Sequence, residues 1–435
     1  MRPISGFSKL TKNEKINYIV QNYLNNSNIA KNTIKSFWHE DESSQKILDE
    51  FSENTITNFA FPYGVVPNVL INNKMYCVPM VIEESSVVAA AAKSAKFWLD
   101  RGGFQAEIVD VKKVGQVHFI WNGNPEDLEN LFINSKTQLI EKVKPLCLNM
   151  EKRGGGLLDL KLINKTDLEE GYFQIWADFN TCDAMGANFI NSVLEALGQE
   201  FKLITESELN QELQVIMAIL SNYTPDCLVK VWVECPIEEL NDPSFGMSPE
   251  EFADKFARAV RIAKIDTNRA TTHNKGIFNG IDSVILATGN DFRAVEACGH
   301  TFAARDGQYR GLTNCSLENG QFRFELELPL SIGTVGGLTA LHPMAKTTLD
   351  ILGNPDAKDL MKITATIGLA QNFSALRSLV TTGIQKGHMK MHLMNILNHL
   401  EANEEEREAA KLNFEDKIIS FQLVREFIGS IRNYQ

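Results

Sequence analysis

The chain has 435 residues and a formal net charge of -12, from 55 acidic and 43 basic side chains. That balance argues against a nucleic-acid binder, which needs clustered Lys and Arg to displace counterions from phosphates, so any phosphorylated ligand must be met by a local basic patch. Hydrophobic residues at 44% and charged residues at 23% are ordinary globular usage, and the length predicts two or three folding units of about 100–200 residues each.

In chain order, the first clear element is an Ala-rich helix from about Glu84 to Arg101, ended by Gly102-Gly103. Residues Glu107 to Trp121 favour strand, and Glu126 to Val143 repeats Leu128, Leu131, Leu139 and Val143 at helical spacing. After the Gly154-Gly155-Gly156 turn come two further strands, Leu157–Ile163 and Tyr172–Phe179, then helices near 184–197 and 206–221. Strand, helix, paired strands and helix form an α+β pattern of the ferredoxin-like sort, which predicts a small domain at 107–223. Ser248 caps a helix with Pro249 in its first turn and Glu251 three residues on, and Phe252, Phe256, Val260 and Ala263 form its buried stripe. The apolar run Ser283–Ala287 reads as a strand, and a long helix runs from about Ala357 to Thr382, ended by Gly383.

If 1–106 and 224–382 pack together as one large helical and mixed substrate domain, the small domain is an insertion in it. The remaining tract, 383–435, holds a charged helix at Glu401–Lys411 and an amphipathic one at Ile418–Ile428, with Gly383 and Gly387 as potential hinges. It reads equally as a mobile C-terminal flap or as a helical pair docked permanently on the surface.

Seven scattered cysteines without a Cys-x-x-Cys pair read as free thiols in a reducing compartment. The longest apolar run, around Val87–Ala92, falls far short of the roughly 20 residues that span a bilayer. The first ten residues lack the apolar core of a secretory signal, so a cytoplasmic protein without membrane contact is expected.

No Gly-x-Gly-x-x-Gly and no Walker-type loop is present, which leaves a Rossmann fold unsupported. Instead, Asp183-Ala184-Met185-Gly186-Ala187-Asn188 follows a strand and opens a helix. Asp183 can cap that helix, and Gly186 removes a side chain where a diphosphate would approach its positive end; a capped helix with a packing glycine is the plainer reading. Lys275 and Asp291 flank the apolar run 283–287, and burial there would require each to meet the other or a ligand, or to form a buried structural ion pair. Glu83 and Glu84 at the start of an apolar helix fit either a favourable dipole contact or a general acid raised by desolvation. His388 and His392 are spaced i, i+4 but lack the Glu and Cys partners of a metal site, so no metal is expected. His388, between Gly387 and Met389, suits proton transfer near neutral pH.

Taken together these segments resemble hydroxymethylglutaryl-coenzyme A reductase, in its soluble bacterial and archaeal class. The resemblance rests on Glu53-Asn54 through Phe61-Pro62-Tyr63-Gly64-Val65, Val78-Pro79-Met80, Glu84-Ser85-Ser86-Val87-Val88-Ala89-Ala90, the Asp183–Asn188 run, Asn274-Lys275-Gly276, Gly289-Asn290-Asp291, Leu369-Ala370-Gln371-Asn372 and Gly387-His388-Met389, in that order. It implies catalytic roles for Glu84, Lys275, Asp291 and His388. Lys275 would stabilise the oxyanion, Asp291 would tune Lys275, Glu84 would supply protons, and His388 would protonate the departing thiolate. Ser86, Arg269 and Asn279 would contact the hydroxymethylglutaryl group, Gln371 the coenzyme A portion, and Lys9 a coenzyme A phosphate. Asp183, Met185, Gly186 and Asn188 would contact the nicotinamide cofactor.

Some relatives carry an acidic residue shortly before the triple glycine. This chain has Lys152-Arg153 there, which favours NADPH over NADH. The resemblance also implies hydroxymethylglutaryl-coenzyme A, mevalonate and coenzyme A as ligands, a homodimer, and the biosynthetic direction. Ser85 stands where the family commonly has Pro, which leaves the helix start less rigid. Two other readings are a homologue that oxidises mevalonate with NAD and a coenzyme A thioester-binding module without turnover.

Overall fold

The computed structural model describes residues 3–381, 393–414, 417 and 419–433. It combines α-helices with three β-sheets. Three short helices open the chain: α1 (Lys12–Tyr23), α2 (Asn28–Ser36) and α3 (Glu42–Asp49). A reciprocal Thr11–Glu14 capping box starts the first of them. The antiparallel pair β1 (Tyr63–Ile71) and β2 (Lys74–Val81) follows, then α4 (Val87–Leu99) and the short strand β3 (Gln105–Ile108).

The next stretch comprises β4 (Lys113–Ile120), α5 (Pro125–Glu151), β5 (Gly156–Asn164), β6 (Tyr172–Asn180), α6 (Ala187–Leu209) and β7 (Gln214–Leu220). Its strands form an antiparallel sheet in the order β5-β6-β4-β7. Val117, Phe119, Phe173, Ile175 and Phe179 point from the strands onto Leu139, Val143, Leu194 and Phe201 of the two helices, forming a core of its own.

The rest of the main body is β8 (Leu228–Pro236), α7 (Pro249–Ile265), α8 (Thr267–Ala287), α9 (Phe292–Ala303), β9 (Thr313–Glu318), β10 (Gln321–Pro329), α10 (Gly337–Leu341), α11 (Pro343–Ile351) and α12 (Ala357–Val380). Strand β8 pairs with β3 and β10, giving the sheet order β3-β8-β10-β9. Phe322, Phe324, Leu326 and Leu328 alternate inward along β10 and join Phe256, Trp98 and Phe373 in the largest core, each worth about 1.5–3 kcal/mol on burial. After that come a helical stretch at 393–399 (α13), α14 (Glu404–Asn413) and α15 (Phe421–Asn433), which share a separate small core around Leu397, Phe414 and Val424. Gly383, Gly387, His388 and His392 lie outside the described residues.

Several expected elements differ. Residues 107–121 contribute to two strands in different sheets, β3 and β4, with the segment 109–112, outside both strands, carrying the chain from one sheet to the other. Helix α5 runs through Pro145 rather than stopping before it. The region expected as a second helix at 206–221 is instead the end of α6 and the strand β7: Asn210, at φ 50°, ends the helix, and β-branched Val215, Ile216 and Ile219 suit an edge strand beside β4. The expected strand 283–287 is the last part of α8. Gly280 lies where a Cβ would sit 2.7 Å from the Ile367 carbonyl oxygen, so it permits the close crossing of α8 and α12. Helix α4 begins at Val87, three residues after Glu84, because Ser86 adopts φ 75°. No described helix is long and apolar enough to cross a membrane.

Candidate active site

One candidate site begins at the turn between β6 and α6. Asp183 does not cap α6. Its Oδ1 accepts from the Ala357 N–H at 2.9 Å, at the start of α12, while the N-cap position of α6 falls to Gly186 at φ 96°, with no side-chain cap. The 23-residue α6 therefore presents uncapped N–H groups and the positive end of its dipole to whatever lies in front of it. In front lies a cleft of about 790 Å³, lined by Met185–Phe189, Gly289–Arg293, Gly333 and Val335–Thr339 among others.

Hydrogen bonds fix its walls. Asn290 Oδ1 accepts from the Gly333 N–H at 2.8 Å, and Asn290 Nδ2 donates to the Gly333 carbonyl at 3.0 Å. The Thr334 N–H donates to the Asp183 carbonyl at 2.8 Å. A Cβ at Gly333 would sit 2.6 Å from the Met185 nitrogen, so the two loops touch backbone to backbone. Beneath the turn lies Lys113, 4% exposed, whose Nζ donates to Thr181 Oγ1 at 2.7 Å, to the Ala184 carbonyl at 2.8 Å and to the Met185 carbonyl at 3.1 Å. Burial pushes its ammonium pKa down, and it has no carboxylate within ion-pair distance among the described residues.

Met185, Gly186 and Asn188 thus line the cleft together. Arg153 lines a separate cavity of about 210 Å³ on the other side of the turn, with Lys113, Cys182 and Lys358. Lys152 is exposed and lines neither space.

A second constellation sits where β2 runs out. Lys275 Nζ lies 2.7 Å from Glu84 Oε2, and the two side chains are 60% and 40% exposed. The apolar enclosure expected for Glu84 is absent. Lys275 therefore pairs with Glu84 and not with Asp291. Both Arg269 and Asn279 are half-buried on the same helix, six residues before and four after Lys275, and burial lowers the Arg269 pKa. Gln371, 6% exposed on α12, packs beside Gly280 of α8, and its Oε1 is buried without a hydrogen-bond partner. Ser86 occupies the left-handed turn between Glu84 and α4. Lys9 is exposed in a short 3₁₀ turn near the N-terminus and lines neither cavity.

Asp291 belongs to the cleft. As N-cap of α9 it accepts from the N–H groups of Arg293 and Ala294 at 3.0 and 3.2 Å, and its carboxylate is bridged by the Arg293 guanidinium. Desolvation pushes its pKa up, but Arg293 and the two N–H groups outweigh that and leave it lowered. Lys275 lies within α8, whereas Asp291 follows the far end of that helix as the N-cap of α9. From Lys275 to the last residue of α8, Ala287, the helix rises about 18 Å at 1.5 Å per residue, and each of the two side chains has another ion-pair partner, Glu84 for Lys275 and Arg293 for Asp291.

Among described residues no group of His, Cys, Asp and Glu could hold a metal ion. Sequence reasoning missed Lys113 and Arg293. Lys112 and Lys113 are adjacent and look alike in sequence, but the first makes an exposed pair with Asp226 and only the second points under the turn. Arg293 had a signal, an arginine two residues from a candidate catalytic aspartate.

The family model for hydroxymethylglutaryl-coenzyme A reductase matches residues 13–393. The 3-hydroxy-3-methylglutaryl-coenzyme A reductase of Archaeoglobus fulgidus is 35% identical over 354 residues, 80% of this chain and 77% of that protein. A solved structure of the class II 3-hydroxy-3-methylglutaryl-CoA reductase from Streptococcus pneumoniae, bound to NADPH in open conformations, superimposes with a TM-score of 0.72 at 38% identity, covering 87% of this chain and 100% of that one. Another structure of the Streptococcus pneumoniae reductase covers 98% of this chain and 100% of that one, with a TM-score of 0.73 at 35% identity. A cleft with an open helix terminus, an exposed lysine–glutamate pair and these likenesses along most of its length converge on one conclusion: this chain belongs to the hydroxymethylglutaryl-coenzyme A reductase family.

Proposed function

We propose that the protein converts hydroxymethylglutaryl-coenzyme A to mevalonate and free coenzyme A in the biosynthetic direction, through two successive reductions by NADPH. The observation that carries this is the Glu84–Lys275 contact at 2.7 Å. An exposed ion pair between segments 191 residues apart contributes little to stability, and its chemistry matches what a thioester carbonyl needs. Lys275 holds the oxyanion as charge develops on the carbonyl oxygen, and Glu84 hands it a proton. His388 is assigned, by family resemblance, the protonation of the departing coenzyme A thiolate. Arg269, with its planar fork, suits the substrate carboxylate; Ser86 and Asn279 suit its remaining polar groups, and Gln371 and Lys9 suit coenzyme A.

The cleft fits a nicotinamide dinucleotide. Its volume lies within the usual range of ligand sites, about 300–1,000 Å³, and the open end of α6 faces it without a side chain at Gly186. When bound there, the cofactor supplies the hydrides. Met185, Gly186 and Asn188 hold it, with Asp183 bracing the turn from the side of α12; Lys152 and Arg153, which line no part of this cleft, are assigned the preference for a 2′-phosphate by family resemblance alone.

We infer the corresponding domains: 107–223, ferredoxin-like, binds NADPH; 1–106 with 224–382 binds the thioester; and 383–435 forms a C-terminal flap. Each chain then carries two half-sites, one with Glu84 and Lys275 and one with the cleft and Asp291. The separation of about 18 Å along α8 supports a homodimer in which a second copy brings its Asp291 to Lys275. Seven unpaired thiols support a cytoplasmic location. The test is to mix the full chain with hydroxymethylglutaryl-coenzyme A and NADPH and follow cofactor absorbance. Thioester-dependent oxidation is expected; folded protein that shows none overturns the reading.

A further inference from the structure

Asp291 and Arg293 are the only charged residues among those lining the 790 Å³ cleft, and they neutralise each other. Arg293 Nε donates to Asp291 Oδ1 at 3.1 Å and Nη2 to Oδ2 at 2.9 Å, a two-pronged bridge. The two ends are held differently. Asp291 is fixed as the α9 cap by two backbone N–H groups, whereas the Arg293 side chain is 77% exposed and has no other partner among the described residues. Exposed pairs of this kind are weak, so the guanidinium is able to leave while the carboxylate stays.

We propose that Arg293 binds a phosphate of the dinucleotide cofactor and, in doing so, releases Asp291, so that cofactor binding and exposure of the catalytic carboxylate are coupled. The inference rests on the reductase reading and deepens it at the cofactor half-site. A guanidinium fork matches two phosphate oxygens as well as two carboxylate oxygens, and the cleft offers an incoming polyanion no other cation among its lining residues. The uncapped start of α6 supplies neutral N–H donors for the rest of the charge. Without cofactor, the bridge keeps Asp291 occupied. With a phosphate in reach, Arg293 exchanges a single carboxylate for a more highly charged anion, and Asp291 becomes available to a lysine. Coupling of this sort is reciprocal: whatever engages Asp291 elsewhere also favours cofactor binding.

The experiment compares the full chain with Arg293→Gln and Arg293→Lys, measuring Kd for NADPH and NADH by calorimetry and KM for NADPH and the thioester by steady-state assay. The binding measurement does not depend on turnover, so it separates failure of this proposal from failure of the reductase reading. Arg293→Gln is expected to weaken NADPH about tenfold or more, to leave the thioester KM within twofold, and to keep the wild-type melting temperature. Arg293→Lys is expected to fall between, because an ammonium lacks the fork. Equal weakening of NADH and NADPH places the contact at the diphosphate; weakening of NADPH alone places it at the 2′-phosphate. NADPH affinity within twofold of wild type in Arg293→Gln, or an equal rise in both substrates' KM values, overturns the proposal.

Discussion

Replacing Lys113 with methionine keeps the length of the side chain and removes its charge from beneath the cofactor turn. Three contacts are lost, to Thr181 Oγ1 and to the carbonyls of Ala184 and Met185. Hydrogen bonds from a charged donor contribute about 1.5–3 kcal/mol each, so the gross loss is roughly 5–9 kcal/mol. Against this, a buried ammonium costs several kcal/mol to desolvate, and that cost disappears with the charge. The net loss expected is about 1–3 kcal/mol by urea denaturation. Thr181 Oγ1 still donates to the Ala184 carbonyl at 2.6 Å, so the turn survives but its Met185 end is no longer held. Because that end opens α6 toward the cleft, KM for NADPH should rise about tenfold while KM for the thioester stays put. A variant that loses stability with both KM values unchanged would show that Lys113 supports the fold only, and would refute the link between this lysine and the cofactor half-site.

Gly186→Ala places a Cβ at φ 96° and 2.4 Å from Thr181 Cγ2; a loss of about 2 kcal/mol or more is expected on denaturation, and an unchanged midpoint contradicts the turn geometry. Asp282 lies beside Glu296 with its Oδ1 buried and without a hydrogen-bond partner, and burial first, then the Glu296 charge, pushes its pKa up to about 8. The folded state thus holds a proton that the unfolded chain gives up near pH 4, so this contribution to stability is complete below that and fades as pH rises towards about 8. Asp282→Asn should flatten the fall in stability between about pH 4 and pH 8; parallel curves for the two proteins argue against the raised carboxyl. Lys275→Ala should retain thioester binding and lose on the order of 10²–10³ in kcat, and wild-type turnover in that variant removes the oxyanion role.

Much of the architecture was legible where periodicity and caps agree. Helix α7 starts at its Ser248 cap and buries the stripe read from Phe252 to Ala263. The antiparallel pair β5 and β6 falls within a residue of the expected strands. What failed has physical reasons. Gly276 and Gly280 look like turn residues to local propensity, but at Gly280 the absent side chain serves the crossing of two helices distant in sequence. Asp183 is an ideal cap by composition, and only tertiary structure shows that it serves α12 instead of the helix that follows it. That misreading concealed the most informative feature of the cleft, the uncapped start of α6. Motif order likewise brought out Glu84, Lys275 and Asp291 together, although a single chain joins only the first two. Whether one copy or two completes the centre depends on distance along α8, which motifs do not carry.

The central claim is a double reduction with release of one thiol, and the most direct measurement is stoichiometry. The full chain is given limiting hydroxymethylglutaryl-coenzyme A with excess NADPH, and oxidised cofactor and coenzyme A thiol are both counted at completion. Two NADPH oxidised for each thiol released is the expected result. One per thiol, or thiol release with no oxidation, would contradict it.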